Sequence, residues 1–319
     1  MIEVERLTKR FGGLTAVNDL TFRAEDGLVT GFLGPNGAGK TTTMRMILGL
    51  DSPSAGWARI DGKLLRDHSS PLRSVGVLLN ADSAAPTMTA WAHLRWVARA
   101  GAIPDARVDE VLELVGLRTA GQRKVGTMSL GMRQRLGIAT ALLGDPGTFI
   151  LDEPINGLDP DGVLWVRTLL KKLAAEGRAV LVSSHLMSEM ELTADKVVVI
   201  GQGRLVAELA MSDLEDSAHR APVRVRVAEQ AALLDALRRI YGDVKIEYPE
   251  PVHGRRSGPG SILRIEGLTP EEIGDTAAAT GTAIYELTLE RPTLEDVFMR
   301  LTHNAADYVA SDSTTGALQ

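Results

Sequence analysis

Apolar positions along the chain change their spacing from stretch to stretch, and each spacing predicts a different kind of element. From Met1 to about Glu25, Ile2 and Val4 and then Leu20 and Phe22 alternate with polar residues. That pattern predicts two strands joined by a turn at Phe11-Gly12-Gly13, an antiparallel edge sheet. The unbroken run Val29 to Leu33 predicts a buried strand, which leads into a glycine-rich loop and then a helix from about Gly39 to Leu50. Between about Ala81 and Leu143 the period becomes helical, with helices expected at Ala90 to Ala100, Val108 to Val115 and Arg133 to Leu143, set apart by Gly and Pro breaks. Strands return at Thr148 to Leu151, Ala179 to Ser183 and Val197 to Ile200, with a helix around Gly162 to Ala175. Strands alternating with helices in this order imply a mostly parallel sheet carrying a helical subdomain at about 81–143.

Composition shifts after about Ser212, where Asp213 to Arg220 reads as a polar linker. Beyond it, strand Val223, Val225, Val227, helix Gln230 to Ile240, strand Ser261 to Glu266, helix Pro270 to Thr280, strand Ala283 to Leu289 and helix Thr293 to Leu301 predict a small α+β accessory domain. The Gly- and Arg-rich stretch His253 to Gly260 is expected as a loop tip. The expected domains are therefore 1–214 and 220–302, with a flexible tail over 303–319.

The 319-residue length fits one large and one smaller domain, and 44% hydrophobic with 24% charged residues is an ordinary globular balance. A formal net charge of -6 provides no basic field for a nucleic-acid backbone. The absence of cysteine removes disulfides, thiolate metal sites and cysteine nucleophiles together, and fits a reducing compartment. The first residues alternate charge and apolar character too quickly for a signal-peptide core. No apolar run reaches the roughly 20 residues that cross a bilayer, so a membrane role has to come through a partner.

Chemistry enters with Gly34-Pro35-Asn36-Gly37-Ala38-Gly39-Lys40-Thr41, which follows a predicted strand and opens a predicted helix, as a phosphate loop requires. Glycines let backbone N–H groups curl around a β-phosphate, and the helix start adds the positive end of its dipole. Lys40 is placed to bridge the β- and γ-phosphates, Thr41 to offer its hydroxyl to Mg²⁺, and Thr42 to bond the α-phosphate. Downstream, the buried strand Thr148 to Leu151 ends in Asp152-Glu153. There Asp152 is the candidate for the Mg²⁺ shell, and Glu153 for the base that polarises an attacking water.

Between these motifs lies Met128-Ser129-Leu130-Gly131-Met132-Arg133-Gln134-Arg135, and with it the chain resembles the ATP-binding subunits of ABC transporters. The usual family signature is Leu-Ser-Gly-Gly-Gln. Here Ser129 and Gly131 remain, while Leu130 and Met132 depart from it, a variant similar to the ABC-2 branch that includes drug and peptide-antibiotic exporters. The resemblance covers Ile2 to about Leu214, and more weakly the accessory domain through Pro292 to Phe298. It implies the α/β fold of a P-loop NTPase nucleotide-binding domain, ATP and Mg²⁺ as ligands, and ATP hydrolysis as the activity. It also implies an ATP-dependent homodimer bound to integral membrane permease subunits at the cytoplasmic face of the membrane.

By the same resemblance, Ser129 and Gly131 form an anion pocket for the γ-phosphate held by the opposite subunit, and Asp159 in Pro154-Ile155-Asn156-Gly157-Leu158-Asp159 links the two sites. His185 is similar to the switch histidine that meets the γ-phosphate and the water. Phe11 stands where an aromatic ring stacks on adenine, with Val17 beside it, although core packing of Phe11 competes with that role. Asn80 replaces the usual Q-loop glutamine and keeps an amide oxygen for the metal at shorter reach. Trp91 and Trp96 are either core or part of a face for the membrane subunit. Two other functions stay open at this point. One is a soluble ABC ATPase acting on ribosomes or nucleic acid; the acidic balance and the single phosphate loop weigh against it. The other is a regulatory module that binds ATP without turnover; Asp152, Glu153 and His185 weigh against that.

Overall fold

The computed structural model describes residues 1–218, 221–248, 262–290 and 293–298. They form two compact units, one built on Met1–Met211 and the other on Ser212–Val297.

In the first unit, β1 (Ile2–Phe11) and β2 (Leu14–Ala24) form the predicted antiparallel hairpin, and β3 (Val29–Leu33) is buried along its whole length. Helix α1 (Lys40–Ile47) follows the glycine-rich loop. Next come β4 (Ala55–Ile60), the short α2 (Pro71–Ser74) and β5 (Val75–Leu78). The helical subdomain contains α3 (Ala90–Ala100), α4 (Ala106–Leu114) and α5 (Leu130–Leu142). Helix α5 begins three residues earlier than its apolar period predicts, because the Ser129 side chain caps it by accepting from Met132 N at 3.2 Å. After it come β6 (Thr148–Asp152), α6 (Pro160–Ala175), β7 (Ala179–Ser184), α7 (Met187–Thr193), β8 (Lys196–Gly201) and β9 (Arg204–Ala210).

The main sheet has the order β5-β6-β7-β3-β8-β9, parallel throughout except for the antiparallel edge pair β8–β9. The smaller sheet has the order β2-β1-β4. Helix α1 packs against strands of both sheets, so Met44 and Ile47 share one core with Leu7, Leu20, Phe32 and Ile200. Phe22 of the small sheet stacks on Phe32 of the main sheet with ring centroids 5.1 Å apart. The start of α1 is therefore fixed from both sides by buried apolar surface, which gives the loop before it a rigid base.

In the second unit the expected polar linker at Asp213 to Arg220 is instead helical, as α8 (Met211–Ala218), with 219 and 220 outside the described residues. Asp213 in the first turn complements the helix dipole, and Met211 and Leu214 supply apolar positions at helical spacing. Beyond α8 run β10 (Val223–Val227), α9 (Gln230–Tyr241), β11 (Lys245–Glu247), β12 (Ile262–Glu266), α10 (Pro270–Ala279) and β13 (Ile284–Leu289). The sheet order is β11-β12-β10-β13, antiparallel throughout, which is the split βαβ arrangement. Val223, Val225, Leu263 and Ile265 share a core with Leu233 and Ile273 of the helices. Helix α10 starts with a capping box between Thr269 and Glu272. The expected helix Thr293 to Leu301 is described over 294–298, where it is helical. The loop His253 to Gly260 and the tail 303–319 lie outside the described residues.

Candidate functional site

The site begins where β3 leaves the core. Gly37 and Gly39 have φ of 82° and 103°, and a Cβ on Gly39 would come within 2.6 Å of the Ala16 carbonyl oxygen, so the loop requires glycine there. Pro35, Asn36 and Gly37 are exposed, whereas Gly34 and Ala38 are buried. Gly203 N donates to Ala38 O at 3.0 Å, which ties the loop to the β8–β9 turn. Lys40 is buried, and its Nζ donates to Gly34 O at 2.6 Å and Pro35 O at 3.3 Å, so the loop winds around the ammonium group. Thr41 is exposed and Thr42 half-buried on the first turn of α1.

Thr41 Oγ1 donates to Asp152 Oδ2 at 2.6 Å, joining the helix start to the end of β6. Strand β7 lies between β3 and β6 in the sheet, and its register places Ser183 beside Asp152. Ser183 Oγ donates to Asp152 Oδ1 and accepts from Glu153 N at 3.0 Å. Glu153 itself is in the left-handed region at φ 50°, uncommon for a residue with a Cβ. Its carbonyl oxygen accepts from Gln134 Nε2 at 2.9 Å, and its Oε2 lies 2.9 Å from His185 Nδ1. His185 follows β7 directly and is 43% exposed against 20% for Glu153, so the pair lines an open mouth.

Lys40, Thr41, Asp152, Glu153 and His185 are thus linked around one loop by hydrogen bonds within a single chain. The remaining expected residues lie elsewhere. Ser129 is exposed and caps α5, and Leu130 lies against the turn before α6, where a Cβ on Gly157 would meet Leu130 Cδ2 at 2.2 Å. Gly131 lies against the same turn, since a Cβ there would stand 3.2 Å from Gly157 O. Asp159 caps α6 by accepting from Gly162 N at 2.9 Å. Phe11 is 49% exposed with Lys9 Nζ 4.9 Å from its ring centre.

Two expectations need correction. Val17 has no exposed surface and packs behind Gly39, so it backs the loop and does not line a nucleotide face. Asn80 directs its Oδ1 to Asp82 N at 2.8 Å, a short-range cap, and Asp82 in turn pairs with Arg133 at 2.6 Å. The asparagine's shorter side chain favours this local bond over a longer reach.

Among the described residues no group of three His, Cys, Asp or Glu could hold a metal alone. The Thr41 hydroxyl and Asp152 carboxylate are nonetheless hard oxygen donors of the kind Mg²⁺ takes alongside phosphate oxygens. Sequence reasoning did not assign Ser183 or Gln134. Ser183 stands at the end of a predicted strand, but its place beside β6 is set by the sheet order, and a glutamine inside a helix carries no signal either.

Comparison with known proteins agrees with this geometry. The family model described as ABC transporter matches residues 17–156, and one described as a domain of unknown function matches 221–295. The chain is 34% identical over 306 residues to the bacitracin transport ATP-binding protein BcrA of Bacillus licheniformis, spanning 94% of this chain and 97% of that one. It is 36% identical over 310 residues to the Nod factor export ATP-binding protein I of Burkholderia orbicola, spanning 94% and 96%. A solved ATP binding subunit of an ABC transporter superposes with a TM-score of 0.62 at 27% identity, covering 68% of this chain and 92% of that one. A dimeric bacterial ABC transporter cassette superposes with a TM-score of 0.61 at 25% identity, covering 66% and 99%.

Proposed function

The chain belongs to the ATP-binding subunits of ABC transporters, and on that premise we propose that it is the ATPase of an exporter, working as a homodimer on separate membrane-embedded subunits. The observation that carries this reading is the convergence of Lys40, Thr41, Asp152, Glu153 and His185 on one phosphate loop.

Backbone N–H groups of residues 37–41 and the Lys40 ammonium receive the β- and γ-phosphates, and Thr42 the α-phosphate. Thr41 and Asp152 would hold Mg²⁺, which would supply positive charge to the phosphate oxygens. Glu153 accepts hydrogen from the attacking water, and His185 steadies both the carboxylate and the γ-phosphate. Phe11 offers its exposed ring to adenine. Ser129, Gly131 and Asp159 complete the partner's site, so turnover requires two copies closed on two ATP molecules. Closure then moves the helical subdomains and the membrane subunits docked on them. Trp96, 66% exposed on α3, belongs to that docking face.

No helix among the described residues is long and apolar enough to cross a membrane. A separate permease and a place at the cytoplasmic face of the membrane are part of this proposal, which relatives named for bacitracin transport and for Nod factor export support. Those names also disfavour a ribosome- or nucleic-acid-directed ATPase. Light scattering on the Glu153→Gln variant tests the proposal. Excess Mg-ATP should double the particle mass, and a particle that stays single with its permease supplied would overturn the sandwich.

A further inference from the structure

Glu153 is held by its main chain on both sides. Its N–H donates to Ser183 Oγ at 3.0 Å and its carbonyl accepts from Gln134 Nε2 at 2.9 Å. Between these two tethers the residue adopts φ 50°, a conformation that a non-glycine residue keeps only when its surroundings impose it. Gln134 is 4% exposed, so its amide needs a hydrogen-bond partner inside the protein, and the Glu153 carbonyl supplies one. Gln134 stands on α5, five residues after Ser129, the cap of the same helix. Ser183 is fully buried and its hydroxyl also donates to Asp152.

We propose that Gln134 is a positioning residue for hydrolysis. Through the Glu153 carbonyl it holds the peptide that aims the Glu153 carboxylate at His185 and the phosphate loop. A short route follows from this: the α5 cap at Ser129 meets the facing copy, and the same rigid helix, one turn further on, holds the main-chain carbonyl of Glu153 in its own copy. Engagement of Ser129 by the opposite nucleotide is thereby transmitted to Glu153 without passing through the ligand. The inference rests on the reading of Glu153 as the base.

The experiment measures steady-state phosphate release by the full chain, with its permease, for Gln134→Met, which keeps the length and loses the donor. A second variant, Gln134→Asn, keeps an amide but falls short of the carbonyl, and it serves if the methionine form does not fold. Each should lower kcat about tenfold or more while KM for ATP stays within about twofold, since misaiming a reacting group by about an ångström costs up to about a hundredfold. In a Glu153→Gln background the same substitution should lower the residual rate less than about twofold, because its effect acts through a carboxylate already removed. An unchanged kcat in a folded variant, or an equal loss in both backgrounds, overturns the positioning role. Normal turnover by Glu153→Gln alone overturns instead the reading of Glu153 as base, so the two failures are told apart.

Discussion

Nδ1 of His185 lies 2.9 Å from Oε2 of Glu153, one polar contact joining the residue after β7 to the residue after β6. With the hydrogen on Nδ1 the imidazole donates to the carboxylate, which fixes the orientation of the ring. The two residues are 32 apart in sequence and meet because their strands are neighbours.

Glu153→Gln should retain ATP and lose turnover by about 10²- to 10⁴-fold, the usual contribution of a general base. Filter binding and phosphate release, measured side by side, check it. A variant that hydrolyses at the parental rate removes Glu153 from the chemistry.

Lys40→Ala takes away the cation around which the loop winds, since Nζ bonds two loop carbonyls. Loss of a fixed charge facing developing phosphate charge typically costs about 10²- to 10³-fold. Both ATP-dependent thermal stabilisation and turnover should fall; full stabilisation by ATP would contradict the assignment.

Gly39→Ala and Gly37→Ala separate crowding from backbone preference. Both glycines have positive φ, worth roughly 1–2 kcal/mol of strain to alanine. Only Gly39 would add a Cβ 2.6 Å from the Ala16 carbonyl, whereas nothing lies within 4 Å of one on Gly37. Urea unfolding should rank Gly39→Ala clearly below Gly37→Ala, and the reverse order would show that the loop tolerates the shift.

His93 is buried on α3, with its Nε2 3.4 Å from Thr140 Oγ1 of α5, and burial pushes its pKa below the ordinary 6.5. The folded chain therefore keeps the ring neutral at a pH where the unfolded chain has already bound a proton. Its contribution to stability is complete above about pH 6.5 and declines as the pH falls from there toward the lowered folded value. His93→Gln should flatten this acid limb in urea-unfolding curves relative to the parent; identical slopes would refute the assignment.

Much of this arrangement was legible in the residues, and what was missed has physical causes. The phosphate loop was visible because glycines needed at positive φ stand at fixed spacing from Lys40. Strand β4 was missed because its alternation is carried by small residues around Gly56, with only Ala58 and Ile60 buried. Strand β9 was missed because, as an edge, it is mostly exposed or half-buried and offers no apolar run. Asp213 to Arg220 looked like a linker because its polar residues outnumber the two apolar positions that mark α8. Ser183 and Gln134 escaped for a different reason: their partner is Glu153, and sequence alone does not tell which strand will lie beside β6. Val17 was placed near the nucleotide by its expected position beside Phe11, but β2 puts it behind the loop with no open surface.

The place of β7 in the sheet bears on biosynthesis. It separates the strand that carries the lysine from the strand that carries the acids, yet it comes later in the chain than both. A nascent polypeptide leaving the ribosome amino end first therefore holds the lysine-bearing and acid-bearing motifs before it can bring them side by side. Until Ala179–Ser184 has emerged and inserted, the lysine-bearing and acid-bearing strands lack the strand that joins them, so the phosphate site cannot assemble on a shorter nascent chain.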